Sequence, residues 1–258
     1  MASRPGVAAV TARRAVHLGF AVLALVLIPH FSSAQSVNID LGASGQAGAT
    51  GRLIQLTALL TVLSLAPSLL VMVTAFTRII IVLSLLRSAV GAQGTPPNSV
   101  LIGLALFLTY FVMQPVLDQA WTQGIVPLTS GQVSEMEGLR LTAEPFRKFM
   151  VSNVRGQDLQ LFQDLGNLPA IASPDEAQWR SLVPAFMVGE LRRAFEMGFL
   201  IYLPFLVIDL VSGSVLMSLG MMMLPPSAVS LPFKLIFFVL VDGWRLVSGT
   251  LVQGFIPG

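Results

Sequence analysis

The chain has 258 residues, 54% of them hydrophobic and only 11% charged, where soluble domains carry roughly 25% charged residues. Apolar segments in that proportion belong in a membrane or against partner proteins. A formal net charge of +2 with no basic cluster excludes nucleic acid as a partner, and the absence of cysteine excludes disulfides, thiolate nucleophiles and cysteine metal sites.

In chain order, Arg4, Arg13 and Arg14 form a basic start before the apolar core Leu18 to Ile28. Pro29 and His30 break that core, and Ser32-Ser33-Ala34 supplies small residues of the kind a signal peptidase reads. As a transmembrane helix the core would cover only about half of a ~30 Å hydrocarbon layer. Residues 1–34 therefore read as a cleavable signal peptide, and the Ser/Gly/Ala-rich 35–51 as a flexible mature N-terminus outside the cytoplasm. His17 and His30 lie within the signal, so the mature chain would hold no histidine and lack the usual general base. No enzyme activity, metal or cofactor is expected.

The remainder reads as two hydrophobic pairs around one polar insert: 52–121, 122–182 and 183–258. The first run extends from Arg52 to Leu86 and the second from Val100 to Leu117; Val183 to Leu219 and Leu231 to Val252 make the other pair. Each is long enough to span a bilayer as a helix. Within the insert, Glu144-Pro145 predicts a helix start with proline in the first turn. Ser173-Pro174-Asp175-Glu176 predicts another, with a serine cap and two acids at the positive helix end. A small helical domain with little core of its own follows. A cleaved signal and four spans place the insert and the C-terminus outside the cytoplasm, with Arg87 and Lys234 as weak positive-inside markers.

Charges interrupt the apolar runs. Arg78 lies in the first; Glu190, Arg192, Arg193, Glu196 and Asp209 lie in the third; Lys234, Asp242 and Arg245 lie in the fourth. A lone ion at bilayer depth costs at least ~2.5 kcal/mol, so these groups need partners or water. Within the chain the expected pairs are Arg78 with Asp209 and Lys234 with Glu190; pairing between subunits is the equal alternative. Pro67 and Pro204 are expected to kink their spans or mark their ends.

Two long segments carry a family resemblance. PAFMVGELRRAFEMGFLIYLPF, Pro184 to Phe205, and PFKLIFFVLVDGWRL, Pro232 to Leu246, resemble the signature segments of the FliP family. SLAPSLLVMVTAFTRIIIVLSLLR, Ser64 to Arg87, with TPPN at Thr95 to Asn98, is similar to that family's first hairpin. The likeness covers about residues 50 to 255, and Gly189 departs from it where a small hydroxyl residue is expected before the glutamate. The resemblance implies an all-α membrane protein of kinked helical hairpins, built into a helical oligomeric pore. It implies several copies assembling with FliQ and FliR inside the basal-body ring of the bacterial inner membrane. There the complex would pass unfolded flagellar subunits, or serve a related injectisome.

The stretch GMMMLPPS, Gly220 to Ser227, acquires a role in that setting. Pro225 and Pro226 are expected to stop the preceding helix and leave a tight loop. Met221, Met222 and Met223, unbranched and easily repacked, would form a deformable pore gasket, as the family's methionine-rich loop does; filling core is the bland alternative. A secondary transporter would need internal repeats, and the two pairs show no convincing self-similarity.

The N-terminal reading has a direct test. Intact-mass measurement on the purified membrane protein should give a chain beginning at or close to Gln35, whereas retention of Met1 would reverse the topology argument.

Overall fold

In a computed structural model of the chain, the described residues are 71–255 except Gln93 and Met222, together with scattered positions between 56 and 68. The predicted signal, the flexible segment after it and parts of the first run before Val71, Pro67 among them, lie outside them. Leu60 onward forms one compact unit, helical throughout and without a strand among the described residues.

Helix α1 (Phe76–Val90) follows a turn at Val73–Ala75, so the first apolar run is not one continuous helix. It stops at Gly91, whose left-handed backbone (φ 77°) lets its N–H reach the Arg87 carbonyl. The long α2 (Asn98–Ala120) passes through a π-helical turn at Trp121–Ile125 into the short α3 (Val126–Thr129), giving one apolar stretch of 32 residues. The insert then supplies α4 (Glu135–Asn153) and α5 (Gly156–Leu165). After a 3₁₀ turn at Pro174–Glu176, α6 (Trp179–Ser218) runs for 40 residues; α7 (Pro226–Leu240) and α8 (Gly243–Gln253) complete the fold.

Three expectations are corrected here and a fourth is narrowed. The Glu144-Pro145 start is the interior of α4, because Ser134 already caps that helix by accepting from the Glu137 N–H, with Glu135 and Glu137 in the first turn. Ser173 does cap, accepting from the Asp175 N–H, but the helix it begins is a single turn, and α6 starts only at Trp179. Of the two outcomes expected at Pro204, an end of the span is excluded, because α6 continues through both Pro184 and Pro204. The fourth run is two helices, bent by 61° where Asp242 takes a left-handed backbone (φ 51°), a conformation short polar side chains tolerate.

Two helices, 98–129 and 179–218, have the length and apolarity of membrane spans, and the bent α7–α8 pair makes a third if taken as one. Helix α1 packs principally along α6. Gly198 allows the close approach, since a Cβ there would collide with the side chain of Leu85. Ile79, Val82, Leu83 and Leu86 from α1 meet Leu182, Ala185 and Phe186 from α6 in one buried cluster. The insert joins this core, with Phe149 of α4 packed edge-on to Phe186 and stacked against Phe255. Large apolar side chains such as Phe107, Phe111, Phe195, Phe199, Val239 and Leu240 remain exposed on α2, α6 and α7. Faces of this extent require lipid or protein to cover them.

Candidate functional site

Helix α1 carries a guanidinium into the core because Arg78 sits in register with Ile79, Val82 and Leu86 on the face pressed against α6. Its side chain is 1% exposed, and the Glu190 side chain opposite it on α6 is 0% exposed. The two form a bidentate pair: Arg78 Nε donates to Glu190 Oε2 at 2.7 Å and Nη2 donates to Oε1 at 2.5 Å. Arg78 Nη1 donates to the Gly254 carbonyl at 3.0 Å, and the Phe255 ring lies under the guanidinium with its centroid 3.6 Å from Cζ. Planar guanidinium geometry uses carboxylate, carbonyl and aromatic face at once, which a lysine could not do. Arg193, one turn beyond Glu190, is a secondary cation, with Nη1 3.6 Å from Oε1 and a partly exposed side chain.

The second pair joins three helices. Lys234 Nζ on α7 donates to Asp209 Oδ2 on α6 at 2.6 Å and to the Ala89 carbonyl at the end of α1 at 3.1 Å. The Ser230 hydroxyl, one turn before Lys234, donates to Asp209 Oδ1 at 2.5 Å. The last carbonyls of a helix have no intrahelical donor and carry partial negative charge, so the ammonium satisfies both the terminus and the carboxylate. Lys234 and Ser230 are buried.

The sequence therefore identified the right ions with the wrong partners. Arg78 pairs with Glu190, not Asp209, and Lys234 pairs with Asp209, not Glu190; both pairs lie within one chain. Three contributors were missed: the Gly254 carbonyl, Phe255 and the Ala89 carbonyl, all at element ends that no hydropathy pattern marks. Ser230 was also missed, although its i, i+4 spacing to Lys234 was a readable signal. Gly189 faces Asp158 of α5, where a Cβ would stand 3.4 Å from Oδ2, and that oxygen is buried without a hydrogen-bond partner. A hydroxyl residue at this position would place a donor near that carboxylate.

The methionine loop lies apart from these pairs. Helix α6 ends before it by a Schellman arrangement: Met221 N–H donates to the Leu216 carbonyl and Gly220 N–H to that of Met217, with Gly220 left-handed at φ 72°. The expectation that Pro225 and Pro226 stop this helix is thus corrected. Gly220 stops it, and the prolines start the next one, Pro226 being the first residue of α7 and Pro225 its cap. Between them Met223 is 97% exposed and Met221 44% exposed, while Met222 is outside the described residues.

These features define an all-α membrane protein whose buried charges are satisfied by one another and by helix ends. The chain belongs to the FliP family, whose pattern matches residues 59–251. Among its relatives, the flagellar biosynthetic protein FliP of Caulobacter vibrioides is 53% identical over 247 residues, covering 95% of this chain and 92% of the relative. The protein of the same name from Rhizobium meliloti is 47% identical, covering 91% of this chain and 97% of its own length. That of Bacillus subtilis is 47% identical, covering 78% and 91%.

The Lys234 cluster yields a graded prediction. Lys234→Met leaves Asp209 and the end of α1 without their shared cation, and should lower the unfolding midpoint in detergent more than Arg193→Met, which removes only a peripheral charge. Equal effects of the two substitutions would contradict the arrangement.

Proposed function

We propose that the chain is a pore-forming subunit of the flagellar protein export gate in the bacterial inner membrane, assembled in several copies with FliQ and FliR-type partners and set within the basal-body ring. The polar insert lies on the periplasmic side, and the exported cargo is unfolded protein. The role is structural and gating, without chemistry on the substrate.

One observation carries this reading furthest: the exposed loop Met221–Leu224 set between two apolar helices. Among its described side chains Met223 is almost fully exposed, and Met221 and Leu224 are partly exposed beside it. A glycine stop on one side and a Pro-Pro start on the other fix both ends of the loop while its methionines stay adaptable. Repeated around an axis, such loops would close a passage and then yield to chains of any sequence. The extensive apolar faces of α2, α6 and α7 supply surface for neighbouring subunits.

Replacing Met221, Met222 and Met223 together by alanine separates this role from packing. If the loop methionines serve the seal and not the fold, the complex should assemble in normal yield and leak small ions, with a lowered proton-motive force and slower growth. Buried methionines would instead cost about 2–5 kcal/mol each and reduce assembly. An intact complex as tight as wild type would end the gasket reading.

A further inference from the structure

The polar insert contains a recess of about 430 Å³ that takes no part in the buried charge pairs. Its floor is one stripe of α5, where Gly156, Leu159, Gln160, Gln163 and Asp164 recur at helical spacing. Its wall is the chain from Leu168 to Pro174, which turns back beside that stripe. The reversal is a second Schellman arrangement: Leu168 N–H donates to the Gln163 carbonyl at 3.0 Å and Asn167 N–H to that of Asp164 at 3.1 Å, with Asn167 left-handed at φ 48°. At the far end the Arg147 guanidinium of α4 donates to the Asp175 and Ala177 carbonyls, and the Glu176 carboxylate accepts from the Ala172 N–H at 3.0 Å. Both ends of the wall are thus fixed in advance, which lowers the ordering cost of any binding there.

The groups left unused by wall and floor define what fits between them. Pro169 and Pro174 keep the residues before them out of helical geometry, and Ser173 is extended at φ −139°, ψ 148°. Between the two prolines, the backbone N–H groups of Ala170 and Ile171 have no acceptor among the described residues. On the floor, Gln163 is 6% exposed, and its Nε2 donates to the Ser181 hydroxyl at 3.2 Å. That hydroxyl donates in turn to the Gln178 carbonyl, which fixes the amide and leaves Gln163 Oε1 buried without a partner. A buried acceptor in that state costs ~1–3 kcal/mol until a donor reaches it. Charge points the same way. Asp164 is exposed at the negative C-terminal end of α5, with no cation paired to it among the described residues, and no lysine or arginine lines the recess.

We propose that this recess is a docking groove for an extended, lysine- or arginine-bearing segment of another protein of the assembly. The segment pairs its backbone with Ala170 and Ile171 as an added strand does, and brings a cation to Asp164 and a donor to Gln163 Oε1. From Gly156 to Asp164 the floor rises about 12 Å, the length of roughly four extended residues. A second copy of this chain is a poor source. Among its described residues outside helices the one basic side chain is Arg155, confined between α4 and α5. That the partner stands on the periplasmic side rests on the placement of the insert proposed above; the chemistry of the groove does not.

Binding of labelled peptides to the purified full chain in detergent tests the groove independently of export. In fluorescence anisotropy, a capped five-residue peptide alternating valine and lysine should bind with a Kd below about 1 mM. Its counterpart with glutamate for lysine should bind about fivefold more weakly or worse, and Asp164→Asn should weaken the lysine peptide by about fivefold, the scale of one exposed ion pair. The lysine peptide N-methylated at every residue keeps its charge but cannot lie against a backbone edge, and should not bind. Equal affinity for the two charge types, undiminished binding after N-methylation, or no binding at about 1 mM would each overturn the groove. In cells, a photocrosslinking residue in place of Ala170 should attach to a lysine- or arginine-bearing peptide of a different protein, identified by sequencing. Attachment to a second copy of this chain would overturn the choice of occupant.

Discussion

A guanidinium and a carboxylate buried together between two apolar helices set the terms for the rest of this structure. Neither Arg78 nor Glu190 could enter the core alone, because a desolvated unpaired ion costs several kcal/mol. Their bidentate contact holds α1 and α6 in one rotational and axial register. The remaining Arg78 donors and its flat face then draw in the C-terminal end of the chain through the Gly254 carbonyl and the Phe255 ring. Phe255 in turn stacks on Phe149, so the polar insert is tied to the same point. Three distant parts of the sequence meet because one charge must be completely satisfied.

The Lys234 cluster applies the same rule at another level of the bundle. It fastens α7 to α6 through Asp209 and to the end of α1 through Ala89. With both pairs in place, the helices on either side of the methionine loop are anchored to α1. The loop itself carries none of these contacts, and its exposed Met223 contrasts with the fixed Pro226 start of α7. On the proposed gate role, an anchored frame carrying an exposed methionine loop is the arrangement required. The exposed apolar faces fit the same picture, since the frame closes its charges internally and leaves hydrocarbon for neighbours or lipid.

Much of this was legible in the sequence, and the misses have definite causes. Apolar runs located α2 and α6 because span-length hydrophobicity is a property of composition along the chain. The cost of a lone ion showed that Arg78, Glu190, Asp209 and Lys234 needed partners, but it carries no information on rotation about the helix axes, and the assumed pairings were exchanged. Hydropathy over Leu231 to Val252 concealed a break because the bend resides in the backbone of Asp242, whose single charge hardly alters the window. Pro225-Pro226 were given too much weight as a terminator. A proline removes one donor, and the 40-residue α6 passes over two of them, whereas a left-handed glycine such as Gly220 redirects the chain. The resemblance in Pro184 to Phe205 and Pro232 to Leu246 identified the family on residues that include Glu190 and Lys234, without showing what those residues touch.

The central claim is that Arg78 and Glu190 are coupled inside one chain, and a double-mutant cycle measures that coupling directly. Unfolding of the purified protein in detergent would be compared for Arg78→Met, Glu190→Leu and the two combined. Each single change should cost about 3–5 kcal/mol by leaving its partner buried and unpaired, while the apolar double variant should recover most of the loss. Additive losses in the double variant would show that the two ions do not depend on each other, and would contradict the account.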